Sequence, residues 1–492
     1  MTTTTLTSNR LKMQPLEATE KTIIAILGFY FIVLCAAAFK LLPPLAIYYY
    51  WDWGRHLALS YFDNPPMIAY MLRAITTVFG NHIYVLNLFA VGTAYAIALF
   101  VFHTTRLIAS RKAAFIAMLI WLCSPMITQY IINYNTYDTP LNLFWAMTIF
   151  FTVRYIQQKK TTDIYWLGLG VGLMLLTKYT GIILVLGLLI TFISIKPLRS
   201  AFKNIHFYLT TLMALFIFSP VLIWNYQHDW ISFIYQLHTH ASGETGLLQQ
   251  IKHSGHMLLK SQLPMFNILL AIVIYGAIKT KPFTNQHNAI IALILITATF
   301  SLFYIVAALK ADVLTSWILP GIIGLAILTG YFWEKRQLHK TLCILLPIYF
   351  ALSTLILLAN TVFASRLTKA GATYTMMQAF NQAFPSIQQP IFTTDYSQAR
   401  IVFFINGQPN IYTFPHCFQE NQYQFWSKEI VAAVRTGKIN QALYVVDSPK
   451  TDCAKTLFNH IALINKITVN QFVPLSHKRQ TKSLYVYQLS NA

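Results

Sequence analysis

Long apolar runs separated by short polar breaks fill the chain from residue 22 to residue 363. They fall at 22–39, 85–104, 113–131, 139–156, 164–178, 181–195, 206–224, 262–278, 289–308, 314–333 and 341–363. A bilayer-spanning helix needs about 20 such residues, somewhat fewer where the helix is short. The pattern therefore predicts an all-α polytopic membrane protein with about 11 transmembrane helices. The least distinct boundary is Lys178-Tyr179-Thr180, a very short break between two runs. From about Arg366 the texture changes: polar residues, Gly and Pro return, and "ARIVFFI" (399–405) and "ALYVVD" (442–447) alternate like strands. Three parts follow: an N-terminal segment at 1–21, a transmembrane part at 22–365 with its first outer loop at 40–84, and a C-terminal soluble α/β unit at 366–492.

Composition agrees with this division. Hydrophobic residues make up 56% of the chain and charged residues 10%, and a soluble chain of 492 residues would need more charge to cover its surface. The net charge of +21 raises the question of nucleic acid. Lys and Arg form no patch, however; they cluster between the apolar runs, which is the footprint of cytoplasmic membrane loops, and no nucleic-acid partner is expected. With the N-terminus inside, inner segments before residue 365 hold 17 cations and outer connections hold seven. The positive-inside rule thus places the N-terminus in the cytoplasm, and an odd number of spans places the C-terminal unit on the outer, periplasmic side. The first run has no small-residue cleavage site and reads as an uncleaved helix. Of the five cysteines, Cys35, Cys123 and Cys343 lie in apolar runs as small buried hydrophobes, while Cys417 and Cys453 can pair if the C-terminal unit is periplasmic.

Acidic residues are scarce and unevenly placed. Before position 365 there are ten, and six of them (Asp52, Asp63, Asp138, Asp229, Glu244 and Asp312) fall on the outer face. A carboxylate at a membrane boundary is costly unless it is paired or binds something. Asp63 precedes Pro65-Pro66, which stiffens the turn that presents it. Asp138 precedes Thr139-Pro140 at the mouth of a run, where an acid suits a helix N-terminus, so a capping role alone also accounts for it. Arg55, Lys178, Lys260 and Lys310 are outer-face cations, and Lys178 sits between two runs that carry no other charge. Arg73 and Lys260 read more simply as side chains snorkelling to the interface. Asn225, His228 and Asp229 close a run in "WNYQHDW", where they either position a substrate hydroxyl or order the loop. "HTH" (238–240) and "HSGH" (253–256) bring four His into one outer loop without a fixed metal spacing. "GLGVGL" (168–173) is a small-residue face for close helix packing and not a nucleotide loop, since no strand precedes it.

The stretch "YYYWDWGRHLALSYFDNPPMIAY" (48–70) resembles the first outer loop of bacterial membrane glycosyltransferases of the C-type fold. These are the relatives of protein mannosyltransferases and of the lipid A aminoarabinose and galacturonic acid transferases. "NYNTYDTPLNLFW" (133–145), "GLGVGLMLLTKYTGIILV" (168–185), "PVLIWNYQHDWISF" (220–233), "DVLTSWILPG" (312–321) and "ENQYQFW" (420–426) resemble further stretches of the same family, in the same order.

The resemblance implies a transferase of the bacterial inner membrane. It would move a hexosyl or pentosyl group from a polyprenyl-phosphate carrier to a lipid, such as lipid A or its core, or to a periplasmic glycan or protein. Asp138 and Asp63 are then the expected catalytic acids, with Asp138 the first choice of base. Arg55, Asp52, Lys178, Tyr179, Asn225, His228 and Asp229 are expected to bind substrate. Cations would meet the carrier phosphate through charge-assisted hydrogen bonds. A divalent cation is the one cofactor the residues admit, with Asp63 as its best-matched carboxylate. The aromatics of 48–66 are expected to form the lipid-facing rim of the carrier site. In the family this loop opens with an Asp-Glu pair, and the aligned positions here are Ala46 and Ile47, neither of which can accept a proton. Two other readings accommodate that loss: a non-catalytic relative that binds the carrier lipid, and a polyprenyl-lipid transporter or flippase. Against a transporter, the charges gather at the outer face and not at the bilayer midplane.

Overall fold

The computed structural model describes residues 17–124, 127–128, 136–239, 264–284, 287–308, 315–335, 348–359, 369–394, 399–404, 409–415, 417, 421–473 and 478–491. Its helices are α1 (Ala18–Ala38), α2 (Leu45–Arg55), α3 (Met67–Phe79), α4 (Ile83–Ile108), α5 (Arg111–Leu122) and α6 (Asp138–Gln158). They continue with α7 (Thr161–Leu175), α8 (Ile182–Ser194), α9 (Ile205–Gln227), α10 (Ile231–Thr239), α11 (Pro264–Thr280), α12 (Asn288–Ala308), α13 (Leu319–Glu334) and α14 (Ile348–Ala359). Each apolar run overlaps a helix among the described residues. Among the described residues five helices are long and apolar enough to cross a bilayer by themselves, and a sixth is added if the pair Tyr179–Ser194 and Lys196–Lys203, bent by 106°, counts as one span. Shorter apolar helices such as α11 and α14 pack beside them in the same core.

Acids at the end predicted to be cytoplasmic are each held. Glu20 receives two hydrogen bonds from Arg111 (2.8 and 2.7 Å), Asp163 is ion-paired to Arg154, and Glu334 accepts the backbone N–H of Ser110. Such pairing offsets the cost of burying a charge near lipid. Small residues set the closest helix contacts. A Cβ on Gly168 would stand 2.3 Å from Cγ2 of Thr210, and one on Gly172 would stand 2.8 Å from Cβ of Ile217, so α7 lies against α9 with no room for a side chain.

Beyond the helical part, α15 (Lys369–Ala383), α16 (Ala399–Phe404) and α17 (Gln422–Arg435) accompany strands β1 (Ile391–Thr393), β2 (Ile411–Thr413), β3 (Gln441–Val446), β4 (His460–Val473) and β5 (Lys478–Ser490). The strands form one mixed sheet in the order β2-β1-β3-β5-β4, parallel at β2-β1-β3 and antiparallel at β3-β5-β4. Side chains alternate across β3: Leu443 and Val445 pack with Met376, Met377 and Phe380 of α15, whereas Ala442, Tyr444 and Val446 pack with Val431 and Val434 of α17. Period-2 alternation with both faces covered explains why "ALYVV" (442–446) is apolar throughout. Cys417 and Cys453 form a disulfide on the α17 side.

Two sequence expectations need correction here. "ARIVFFI" is not a strand: residues 399–404 form α16 and bury Ala399, Ile401, Val402 and Phe403. Packing overrides its β-propensity, because Phe403 fits edge-on against Tyr48 and Trp51 of α2 (5.0 and 4.8 Å between rings). Nor do the aromatics of the first outer loop form a lipid-facing rim. Tyr48, Tyr49, Tyr50, Trp51 and Trp53 are all buried, in one cluster with Ala399, Val402, Phe403, Ile411 and Tyr423 of the C-terminal part. An apolar protein surface was available to them, and close-packed ring contacts with it replace contact with lipid. The first outer loop and the C-terminal part therefore share a core.

Candidate active site

Two acidic centres lie at the end of the helical part predicted to be outer. The first is Asp63. The chain leaves α2, turns through Ser60-Tyr61-Phe62, and enters α3 after Pro65-Pro66. Three long-range contacts anchor this turn: Phe62 N–H donates to Oε1 of Gln422 (2.7 Å), the Asp63 carbonyl accepts Nε2 of Gln236 on α10 (2.6 Å), and Met67 N–H donates to the carbonyl of Leu176 at the end of α7 (3.1 Å). The Asp63 carboxylate is partly exposed, and its Oδ2 accepts the hydroxyl of Tyr49. Burial pushes the carboxyl up to about 7, against a smaller downward pull from the Tyr49 phenol and its own backbone N–H. The same burial, with the neighbouring carboxylate, raises the Tyr49 phenol well above its usual value, so it stays a donor.

The second centre is Asp138, the first residue of α6. Its Oδ1 accepts Nζ of Lys178 at 2.7 Å, and both side chains are almost fully buried. Lys178 is extended (φ −157°, ψ 139°) in the break between α7 and α8, and this conformation carries its ammonium across to α6. The ammonium lies over the rings of Tyr137 and Trp317 at 4.5 and 5.4 Å. Asp138 and Lys178 line a cavity otherwise walled by Trp145, Phe300, Tyr304 and Trp317. Trp317 thus turns inward to a charged pair, although its place in the sequence fits an interface belt. Tyr50 and Tyr137 meet edge-on at 5.4 Å, and Tyr50 adjoins Tyr49 at 5.5 Å, so aromatic contacts run from one acidic centre to the other.

The remaining expected residues divide by environment. Asp52, 1% exposed, has both oxygens engaged: Oδ1 accepts Nη1 of Arg55 (2.6 Å) and Oδ2 accepts the hydroxyl of Tyr423 (2.7 Å). Arg55 also reaches Oδ1 of Asn410 (3.5 Å), which makes it part of the contact with the C-terminal part. Tyr179 shares a hydrogen bond with Ser232 (2.6 Å), and Asn225 Nδ2 approaches its hydroxyl (3.5 Å). Asn225 is fully buried, bonds to the Val221 carbonyl, and accepts at its own carbonyl the N–H groups of His228 and Trp230. His228 stacks on Trp224 at 4.0 Å and bonds to the Trp224 carbonyl, while Asp229, at φ +53°, is exposed. His228 and Asp229 are therefore not a pair; they belong to the turn between α9 and α10. Lys260, Lys310, Glu244, Asp312, His240, His253 and His256 lie outside the described residues, as does the side chain of His238.

A divalent cation wants several oxygen or mixed oxygen and imidazole ligands. Among the described residues no three His, Cys, Asp or Glu side chains converge to hold one, and the Asp63 carboxylate meets a tyrosine where a second acid would be needed. The described residues do not fit a cation at Asp63. Sequence reasoning did not find Tyr49, Gln236 and Tyr423 as contacts of the acids, nor Gln422 as a partner of Tyr49 and Phe62, because these contacts join separate segments.

Solved structures share this fold. ArnT from Cupriavidus metallidurans in the apo state superposes over 96% of this chain and 98% of its own, with a TM-score of 0.67 at 13% identity. The same protein bound to undecaprenyl phosphate covers 95% and 98%, with a TM-score of 0.64. The chain has the C-type membrane glycosyltransferase fold. Residues 63–224 match the dolichyl-phosphate-mannose-protein mannosyltransferase family, a segment that contains Asp63, Asp138, Lys178 and Tyr179. A lipid A galacturonosyltransferase, RgtD of Rhizobium johnstonii, is 30% identical over 181 residues, 37% of this chain, and the match spans 38% of that relative's length. In this chain Asp63 lies in the turn between α2 and α3, and Asp138 at the start of α6.

Proposed function

We propose that the chain is a glycosyltransferase that takes a sugar from a polyprenyl-phosphate carrier and adds it to a lipid of the lipid A type at the outer face of the bacterial inner membrane. The observation that carries this reading is the pair of acidic centres: a partly exposed Asp63 held against the Tyr49 hydroxyl, and a buried Lys178–Asp138 pair in an aromatic cavity. The likeness to an undecaprenyl phosphate-bound protein and to a lipid A galacturonosyltransferase supports the choice of donor and acceptor. In the reaction an acceptor hydroxyl oxygen attacks the sugar C1. The bond between C1 and the phosphate oxygen breaks, and polyprenyl phosphate departs with that oxygen and its electron pair. Asp63 takes the hydroxyl proton, a role suited to a carboxylate whose pKa lies near the working pH. Lys178, released in part from Asp138, meets the charge that grows on the leaving phosphate. Asp138 already carries a lysine ion pair, so Asp63 is the more available proton acceptor of the two. Mass spectrometry of lipid A from a host expressing the chain tests this: an added hexose, hexuronate or pentose mass is expected, and its absence at normal expression would refute the reading.

The inside-in orientation completes the proposal, with the N-terminus cytoplasmic and the disulfide-bearing C-terminal part periplasmic, where disulfides persist. Engineered cysteines near Asn64, Asn135, Ser242 and Asn421 should then react with an impermeant maleimide in intact cells, and sites near Gln158 and Thr284 should not. Reaction at Thr284 would reverse the orientation.

Ala46 and Ile47 favour the reading of a carrier-lipid binder without catalysis. Ile47 is fully buried in the aromatic cluster, however, so its position is now part of a packed interface. The double substitution Ala46→Asp with Ile47→Glu is expected to bury an unpaired carboxylate and to lower turnover and stability together. A large gain in turnover would show that the natural protein is the non-catalytic relative.

A further inference from the structure

The corner where the C-terminal part meets the first outer loop carries contacts that the reaction above does not use. Asn421 caps α17 by accepting the backbone N–H of Tyr423 (2.9 Å). The cap fixes the direction of three groups. Gln422 N–H donates to the Tyr49 hydroxyl oxygen (2.8 Å), Gln422 Oε1 accepts from Phe62 N–H (2.7 Å), and the Tyr423 hydroxyl donates to Asp52 (2.7 Å). Gln422 is 4% exposed and Tyr423 is fully buried, so water does not replace these partners. With its oxygen holding a backbone N–H, Tyr49 has one proton to give, and it gives it to Asp63. The rings of Trp53 and Tyr423, at 5.1 and 5.4 Å, fix the plane of Tyr49. The same corner thus reaches both first-loop acids, one through Tyr49 and one through Tyr423.

We infer that Gln422 and Tyr423 are positioning residues for the transfer step. They hold Tyr49 against Asp63 and Asp52 against Arg55, so that the first-loop acid is aligned only while the C-terminal part is docked. The inference rests on the transferase reading and assigns the C-terminal part a place in the chemistry beyond contact with the acceptor. A side chain that merely stabilised the interface would weaken donor binding and turnover together. A positioning residue acts on turnover, because a misplacement of about 1 Å costs on the order of 10²-fold in rate.

The test uses the full chain in lipid nanodiscs, with Gln422→Ala, Gln422→Glu and Tyr423→Phe, and two readouts. In transfer kinetics, Gln422→Ala should lower kcat by about 10- to 100-fold with the donor KM within about twofold. Gln422→Glu, which keeps an oxygen for Phe62 N–H, should recover most of that loss. In hydrogen exchange, amides 45–66 should exchange faster in Gln422→Ala and Tyr423→Phe than in wild type. Tyr423→Phe and Asp52→Asn should couple in exchange, the double change falling short of the sum of the singles, since both act on the contact between these two side chains. Unchanged exchange, or an equal loss of kcat and donor binding, overturns the inference. Exchange is read without turnover, so a wild type with no transfer activity would refute the transferase reading while faster exchange still upheld the clamp on the loop.

Discussion

Asp63→Asn should cut transfer to a residual rate: kcat falls by about 10²- to 10⁴-fold, the contribution of a positioned general base, while donor binding persists. The amide keeps the size of the carboxyl and a carbonyl oxygen for Tyr49, so the turn should keep its shape. The pH profile adds a second signature. Burial raises the Asp63 carboxyl from its usual range to about 7. A base must be ionised to act, so kcat/KM should rise with pH through a limb near 7 and level off above it. The limb should vanish in the residual activity of Asp63→Asn. Tyr49→Phe removes a donor that favours the ionised form, and it should move the limb upward. A profile flat from pH 5 to 9 in the wild type would take the proton transfer away from Asp63.

Removing Lys178 should have the other large effect. Lys178→Ala leaves the Asp138 carboxylate buried among Trp145, Phe300 and Tyr304 without its counter-charge. Breaking a buried pair from one side costs about 3–5 kcal/mol, far more than the pair is worth against well-packed apolar residues. The variant should therefore melt at a clearly lower temperature and lose donor binding. Asp138→Leu with Lys178→Met removes both charges and should recover most of the stability but none of the transfer, because nothing then meets the leaving phosphate. Recovery of both would make the pair purely structural. Asp138→Asn keeps Lys178 and should retain donor binding; if it alone abolished the pH limb, Asp138 would be the base.

Much of the helical part was legible in the sequence, because lipid demands long apolar runs and each of these overlaps a described helix. The mouth of a run also located Asp138, and the Pro65-Pro66 turn located Asp63. What they did not show was pairing: Lys178 and Asp138 stand 40 positions apart, and no local pattern says that an extended break residue reaches across to α6. The same holds for Tyr49 and Gln422, 373 positions apart. The first-loop aromatics misled for a related reason. Beside an apolar run they fit a lipid interface, and only the folded C-terminal part offers the protein surface that buries them. "ARIVFFI" has strand composition yet becomes α16, whereas "ALYVVD" has partners on both sides and becomes β3. Cys417 and Cys453 were legible as a pair because they are the two cysteines outside the apolar runs.

The central claim is that sugar leaves a polyprenyl phosphate and arrives on an acceptor lipid in one event on this protein. The most direct measurement uses purified full-length chain in nanodiscs with a donor labelled in both sugar and phosphate, and a lipid A acceptor. Labelled sugar should appear on the acceptor as an equal amount of labelled polyprenyl phosphate is released, and Asp63→Asn should slow both alike. Binding of the donor with neither product formed, or movement of intact donor between leaflets, would contradict the claim.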